Sequence, residues 1–442
     1  MKKNLVERLL SFSLIVALIS LSGCSKNNTY ENDNLQVKLN ETLHEDGYKL
    51  QQVLVLSRHN IRSPLSEKGS LLNTMTPHEW FNWTSNPSQL SIRGGVLETE
   101  FGQFFRKWTE KEGLFKENYD PQNVNIETDE VRIYANSKQR TLATANYFLT
   151  GLFPVSDIDV EHHMNFDEMD PVFNPVLTNI SDKEDEFINA ATNQIEELFS
   201  DKINNLKSNY DLIEKVIDVK DSDDYKSGKF TGFKVDDSVF AFNENKEPSV
   251  TGSLKTACQI SDALTLQYYE GEENVAAFGK KLTFKEWEDI AEVKDVYEDV
   301  LFTAPIVATN VAKPLLKEML SELKNDNRKF TFLCGHDSNV ASVLASLSVK
   351  DYLLPNAIEK KTPIGCKIVI SKWVKDDSSN EEYISVNMVY QTIEQLRGIK
   401  MLDEKSPPAI FTLSFDGLEK NEDNLYRKDD IIKRFEEAIA ES

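Results

Sequence analysis

The sequence predicts an α/β fold: a mixed sheet flanked by helices, with an inserted, mainly helical second domain. Three observations carry that prediction. The runs Val53-Leu54-Val55-Leu56 and Phe330-Thr331-Phe332-Leu333 are short and apolar, as expected of strands buried on both faces. Strand and helix patterns alternate over residues 46 to about 155 and return after about 300, whereas the stretch between them is mainly helical. At 442 residues and 40% hydrophobic, with 24 Phe and 14 Tyr, the chain can build a full core and two domains, or one domain with a large insertion. The expected organisation is a targeting segment at 1–23, a tether at 24–45, and an α/β domain made from 46–155 and 301–442. A helical domain at 156–300 interrupts it.

The elements follow in chain order. Lys2, Lys3 and Arg8 supply a positive start, and the apolar core at 9–21 is shorter than the ~20 residues a permanent membrane span requires. Leu21-Ser22-Gly23-Cys24 resembles a bacterial lipobox, which implies a diacylated Cys24 at the mature N-terminus; the alternative is ordinary cleavage beside an incidental cysteine. Residues 25–34 are polar, Asn-rich and without pattern, as in a tether. Val131-Arg132-Ile133-Tyr134-Ala135 reads as a strand, and a helix begins near Arg140-Thr141. Ser181 and Glu184 have capping-box spacing, followed by Ile188, Ala191, Ile195, Leu198, Phe199 and Ile203 at helix spacing. Residues 218–252 are charged and turn-rich, a surface excursion of the kind that covers a site. Helix patterns follow at Ile260, Ala263, Leu264 and Tyr268, and at Ile306 to Leu323, where Pro314 is a candidate bend. Strands are expected at 330–334, 364–370 and 383–391.

Charge narrows the function classes. The net charge is −23, and residues 1–23 carry three basic and one acidic side chain, so the remainder stands at −25. An acidic surface argues against nucleic-acid binding, which needs Lys and Arg to displace counterions. Beyond Cys24, only Cys258, Cys334 and Cys366 remain; no spacing suggests zinc, and buried free thiols are expected.

The chemistry concentrates in two loops. Arg58-His59-Asn60-Ile61-Arg62-Ser63-Pro64 closely follows the strand at 53–56, and Gly335-His336-Asp337-Ser338-Asn339 follows the one at 330–333. In an open α/β sheet, loops leaving the carboxyl ends of strands share one crevice. These two would gather a pair of histidines, a pair of arginines and an aspartate, an inventory suited to attack on a phosphate ester.

These strings resemble the signature of the histidine acid phosphatases, R-H-G-x-R-x-P with a later H-D, and most closely the periplasmic glucose-1-phosphatase/phytase group. Asn60 stands where most members have glycine. Leu90-Ser91-Ile92-Arg93-Gly94-Gly95, Ala135-Asn136-Ser137-Lys138-Gln139-Arg140-Thr141 and Met169-Asp170-Pro171-Val172-Phe173-Asn174-Pro175 also fit. So do Thr265-Leu266-Gln267-Tyr268-Tyr269-Glu270-Gly271 and Thr362-Pro363-Ile364-Gly365; together the strings cover roughly residues 46–412 in family order. The family has the sheet-plus-helical-insertion architecture expected above.

The resemblance implies a role for each residue. His59 is the nucleophile, forming a phosphohistidine that water later cleaves. Arg58, Arg62 and Arg140 hold the nonbridging oxygens, for which a planar, permanently charged fork is suited, and His336 donates a further hydrogen bond. Asp337 is the general acid, then the base toward water; the competing reading is a helix N-cap. Glu247 would reach the pocket and limit bulky substrates, or else be a solvated surface glutamate. His162-His163 looks like a metal pair, but adjacent histidines do not easily face one ion and no carboxylate partner is evident, so they read as structural. No metal and no cofactor are expected.

Three functions compete. The first is a lipid-anchored phosphomonoesterase acting on small sugar phosphates such as glucose 1-phosphate, and on inositol phosphates. The second is a phosphoryl transferase or mutase of the same superfamily, disfavoured by the export signal and the large insertion. The third is a noncatalytic surface-binding lipoprotein, disfavoured by the intact His59 and Asp337. Nothing in the sequence sets the oligomeric state.

Overall fold

The computed structural model describes residues 39–40, 42–65, 70–117, 130–154 and 157–440. The targeting segment 1–23, Cys24 and most of the tether lie outside the described residues. Leu35–Ser442 form one compact unit. Its strands are β1 (Tyr48–Arg58), β2 (Val131–Ala135), β3 (Val239–Ala241), β4 (Ser249–Thr251), β5 (Phe330–Gly335), β6 (Lys367–Lys375), β7 (Glu382–Tyr390), β8 (Ala409–Thr412) and β9 (Tyr426–Arg427). The helices through the middle of the chain are α1 (Leu71–Thr74), α2 (Ile92–Lys111), α3 (Gln139–Leu152), α4 (Glu184–Asn205), α5 (Lys207–Val216), α6 (Asp223–Lys226) and α7 (Ser253–Glu270). They continue as α8 (Glu273–Ala276), α9 (Phe284–Phe302), α10 (Pro305–Leu323), α11 (Asp337–Ser346), α12 (Ile393–Gly398) and α13 (Lys428–Ala440).

Among the described residues the main sheet has seven strands, in the order β2-β5-β1-β6-β7-β8, with β9 on β7. β2, β5 and β1 run parallel, and β6 to β9 are antiparallel to their neighbours, so the sheet is mixed. Alternation along β1 explains why its core run is apolar without interruption. Val53 and Val55 join Phe330 and Phe332 on one face, against Phe101 and Phe105 of α2 and Phe148 of α3. Leu54, Leu56 and Leu333 face the opposite way, toward Leu315 and Met319 of α10 and Val340 of α11. Both faces are covered, as parallel strands require. Gly102 and Gly151 let α2 and α3 close tightly: a Cβ on Gly102 would lie 2.1 Å from the Phe148 carbonyl oxygen.

The helical segment packs around Ala257, Ile260, Trp287, Ile290 and Val293, and this apolar cluster continues to Ile61 and Leu97 beside the β1 loop. Elements on opposite sides of the pocket therefore share one core.

Three local expectations change. The strand expected at 364–370 starts only at Lys367, because Gly365 at φ +68 closes a turn in which the Cys366 N–H bonds the Pro363 carbonyl. The Ser181/Glu184 capping box does not form. Instead the Glu244 carboxylate, from the excursion, accepts from the backbone N–H groups of Asn179, Ile180 and Ser181 at 2.8, 2.7 and 3.2 Å. The Glu244 carboxylate takes the Ser181 N–H that the Glu184 side chain would bond in a capping box, and α4 begins after a 3-10 turn at Ser181–Lys183. The excursion itself is partly core, since Phe233, Phe242 and Val250 are buried. α10 runs through Pro314 to Leu323. Cys258, Cys334 and Cys366 are free and buried, as expected.

Candidate active site

The register between β1 and β5 pairs Arg58 with Gly335, so the residues that follow each strand emerge side by side. The His59 N–H bonds the Gly335 carbonyl at 3.0 Å, and the His59 and His336 rings lie 5.6 Å apart. His59 Nδ1 donates to the Asn60 carbonyl at 2.9 Å. A carbonyl oxygen can only accept, so Nδ1 carries the proton and Nε2 keeps its lone pair. Burial, and then Arg140 and Arg62, hold the imidazole well below its usual pKa, so it stays neutral in acid.

Asn136 sets the other ring. Its Oδ1 accepts from the Asp170 N–H at 2.9 Å, which orients Nδ2 toward His336 Nε2 at 2.6 Å. His336 Nε2 accepts at this shorter contact, which puts the ring's proton on Nδ1; Arg140, 3.4 Å from that nitrogen, can only donate and so makes no hydrogen bond to it. Burial, followed by Arg140, keeps this imidazole neutral too.

Under the loop lies a buried polar support. Asn60 Oδ1 accepts from the Ile61 N–H at 2.8 Å, and its amide donates to Glu98 at 2.9 Å. Glu98 pairs with Lys367 at 2.8 Å, and both side chains are fully buried. Asn60 thus fills a place where glycine would leave a Glu98 oxygen without a partner. A Cβ on Gly365 would fall 2.6 Å from the Asn60 amide nitrogen, so that turn needs a glycine.

The pocket holds about 390 Å³, within the range of small-molecule sites. His59, Arg62, Arg140, Glu247, His336 and Asp337 all line it, so one crevice collects six of the seven residues expected in the pocket. Arg58 lies outside the lining. Its guanidinium is buried behind the pocket, 2.7 Å from Glu359 and 3.3 Å from Asp337. Arg62 is held by Asp262 at 3.2 Å. Burial and then Arg62 depress Arg140 to about 10, so it remains charged across the acid and neutral range. Glu247, at the turn between β3 and β4, has its carboxyl pushed up by burial. The pair His162-His163 lies apart from this pocket: His163 has a carboxylate partner after all, Glu161 at 2.6 Å, and meets the Tyr134 hydroxyl at 3.1 Å. Among the described residues no group of three or more ligating side chains could hold a metal.

Asp337 opens α11, one residue after the His336 N-cap; its Oδ1 accepts from the Ser338 N–H at 3.0 Å, and Oδ2 is the oxygen that meets the neighbouring cations. Burial alone would raise its pKa, but Lys294 at 2.9 Å and Arg58 at 3.3 Å hold it well below the usual range. Lys294, Asp262, Glu298 and Glu359 were not evident from the sequence. Lys294 is four residues after Ile290 and seven after Trp287, both buried, and that lysine on an apolar helix face was the available signal.

The cluster balances its charge by protonation. Burial raises Glu298 to about 8 and Asp295 to about 7, against the pull of Lys294, so both are neutral in acid. Arg58 and Lys294 then face Asp337 and Glu359, two cations against two anions. A carboxyl whose folded pKa is raised stabilises the fold fully below its unfolded pKa and loses that contribution as pH rises through the folded value. From about pH 4.5 to 8 the wild type should therefore lose stability relative to Glu298→Gln, read as converging or crossing calorimetric melting temperatures. Parallel profiles would contradict this protonation state.

Comparison with known proteins bears on the family and the fold. The profile of the histidine phosphatase superfamily (branch 2) matches residues 49–391. Glucose-1-phosphatase of Salmonella typhimurium is 40% identical over 376 residues, 84% of this chain and 88% of that protein. Phytase AppA of Escherichia coli is 25% identical over 396 residues, 85% and 88% of the two chains. The apo structure of Hafnia alvei phytase shares the fold, with a TM-score of 0.79, 24% identity, and coverage of 90% of this chain and 98% of that one. Two loops at the ends of adjacent parallel strands, the strings on them, and a profile spanning both place this chain in the histidine phosphatase superfamily, branch 2.

Proposed function

We propose that this pocket hydrolyses phosphate monoesters of small sugars through a phosphohistidine on His59. The observation that carries the reading is the tautomer: Nδ1 of His59 is tied to the Asn60 carbonyl, leaving Nε2 as a neutral nucleophile beside Arg62 and Arg140. Arg62, Arg140 and His336 Nδ1–H hold the nonbridging oxygens, and Arg58 adds positive charge from behind. Asp262 holds Nη2 of Arg62 in the free protein and yields it to the phosphate.

The ester's second phosphate proton has a pKa near 6, so in acid the ester enters as a monoanion and brings a proton with it. That proton passes to Asp337 and on to the leaving oxygen as the P–O bond breaks and the Nε2–P bond forms. Water then attacks phosphorus as the N–P bond breaks, one of its protons goes to Asp337, and that proton leaves with the phosphate as dihydrogen phosphate, which returns Asp337 to the carboxylate. Glu247, Gln259 and Tyr297 line the rest of the pocket and suit a hydroxylated leaving group. The 40% identity to a glucose-1-phosphatase, against 25% to a phytase, favours sugar monophosphates, with inositol phosphates as secondary substrates.

The test is phosphate release by the purified protein in EDTA, comparing glucose 1-phosphate with inositol hexakisphosphate. Release should persist in the chelator and be faster from glucose 1-phosphate; no release from either ester would sink the proposal. The chain is further proposed to be exported and lipid-anchored through Cys24, on the strength of the apolar segment and the Leu-Ser-Gly-Cys string. Among the described residues no helix is long and apolar enough to cross a membrane. Cys24→Ser should move the protein from the membrane to the soluble fraction, and unchanged fractionation would refute the anchor.

A further inference from the structure

Asp337 is asked to deliver a proton, yet two cations, Lys294 and Arg58, press on its carboxylate. Lys294 contacts it at 2.9 Å, reaching from α9 across the pocket wall, and also approaches Glu359 at 3.4 Å and Glu298 at 3.7 Å. Lys294 is itself a lining residue, but its ammonium is buried against the carboxylates, so it acts on a bound ester through Asp337. Arg58, the other cation on Asp337, is walled off by Glu359 and cannot change partner without breaking a buried 2.7 Å ion pair. Of the two, only Lys294 lines the pocket.

We propose that Lys294 is a further residue of the reaction: its ammonium clamps Asp337 as a carboxylate in the empty pocket and sets how tightly the bound ester and Asp337 hold their shared proton. This rests on the reading of Asp337 as the proton donor. With Lys294 present, the shared proton is held weakly and passes readily to the leaving alkoxide. In the second half-reaction the same charge keeps Asp337 ionised until water needs a base.

The charges that face Asp337 leave this role to Lys294. Arg58 and His59 approach from β1, Lys294 and Glu298 from α9, and Glu359 from the turn before β6. Arg140 on α3, Glu247 beyond β3, Cys258 on α7, Tyr297 on α9 and the neighbouring His336 also act on Asp337. His59 is neutral in acid, Glu298 is protonated below about 8, and the Cys258 thiol is pushed up by burial. Arg58 and Arg140 keep their charge throughout. Removing the positive charge of Lys294 therefore tightens proton binding in the complex, and the alkaline limb of the first chemical step must move to higher pH.

The experiment follows phosphohistidine formation by acid quench in single turnovers with enzyme in excess, using glycerol 2-phosphate and p-nitrophenyl phosphate. In Lys294→Met the alkaline limb with glycerol 2-phosphate should rise by about one pH unit, a tenfold change in the proton equilibrium. The nitrophenyl ester needs no protonated leaving group, so its profile should stay in place. Lys294→Arg keeps the charge and should restore the wild-type limb. Lys294→Gln retains a donor toward Glu359 and serves as the neutral variant if the methionine protein does not fold. An unmoved limb, or an equal loss on both esters without a shift, overturns the proposal. Failure of the underlying reading looks different: Asp337→Asn would then form phosphohistidine from glycerol 2-phosphate at the wild-type rate.

Discussion

His59→Ala should lose activity by at least on the order of 10⁴-fold in kcat, as expected when a covalent nucleophile is removed from an otherwise intact site. Alanine takes away the Nε2 lone pair while leaving Arg62, Arg140 and His336 to bind phosphate. KM should therefore change far less than kcat, and inorganic phosphate should still bind. The ring's bond to the Asn60 carbonyl is lost as well, but Asn60 is held independently by Ile61 and Glu98, so the loop should keep its shape. The check is an acid-quench trap with labelled substrate: wild type should retain label on protein, and His59→Ala none. Wild-type turnover by the alanine variant would end the nucleophile assignment.

Asp337→Asn should discriminate between esters. An amide has nearly the same shape but carries no transferable proton, so alkyl phosphates should slow by about 10²- to 10⁴-fold in the first step. A nitrophenyl ester, whose leaving group departs unprotonated, should form phosphohistidine nearly as fast as in wild type. Hydrolysis of that intermediate loses its base, so the aryl ester should give a burst followed by a slow steady state. The substitution also leaves Lys294 and Arg58 facing Glu359 as the remaining ionised partner, so phosphate should bind more tightly in the variant. Equal slowing of both esters with no burst would assign Asp337 a structural role.

The two loops were legible because each is local. A buried parallel strand needs an unbroken apolar run, and the polar residues after it have to emerge at the carboxyl end of the sheet. His59, Arg62, His336 and Asp337 were placed on that basis, and all line one pocket. Arg140 and Glu247 come from other elements, and they were placed only by resemblance. The failures share a cause. The Ser181 N–H was taken by Glu244, more than sixty positions later, and the start of the strand expected at 364–370 was set back to Lys367 by the turn that Gly365 makes against Asn60. Lys294 with Glu298 has the i,i+4 spacing of a surface ion pair, yet both side chains are almost wholly buried.

The sequence by itself determined the α/β class, the pair of loops and the residue types at the reacting centre, because strand burial and loop position are written in periodicity along the chain. Tertiary structure decided the electrical state of those residues. The tautomer of His336, the ionised Asp337, the protonated Glu298 and the placement of Arg58 behind the pocket depend on partners brought in from the end of β2, α9 and the turn before β6. Proton affinity follows distance through space and the loss of water around a group, and neither quantity is set by neighbours along the chain.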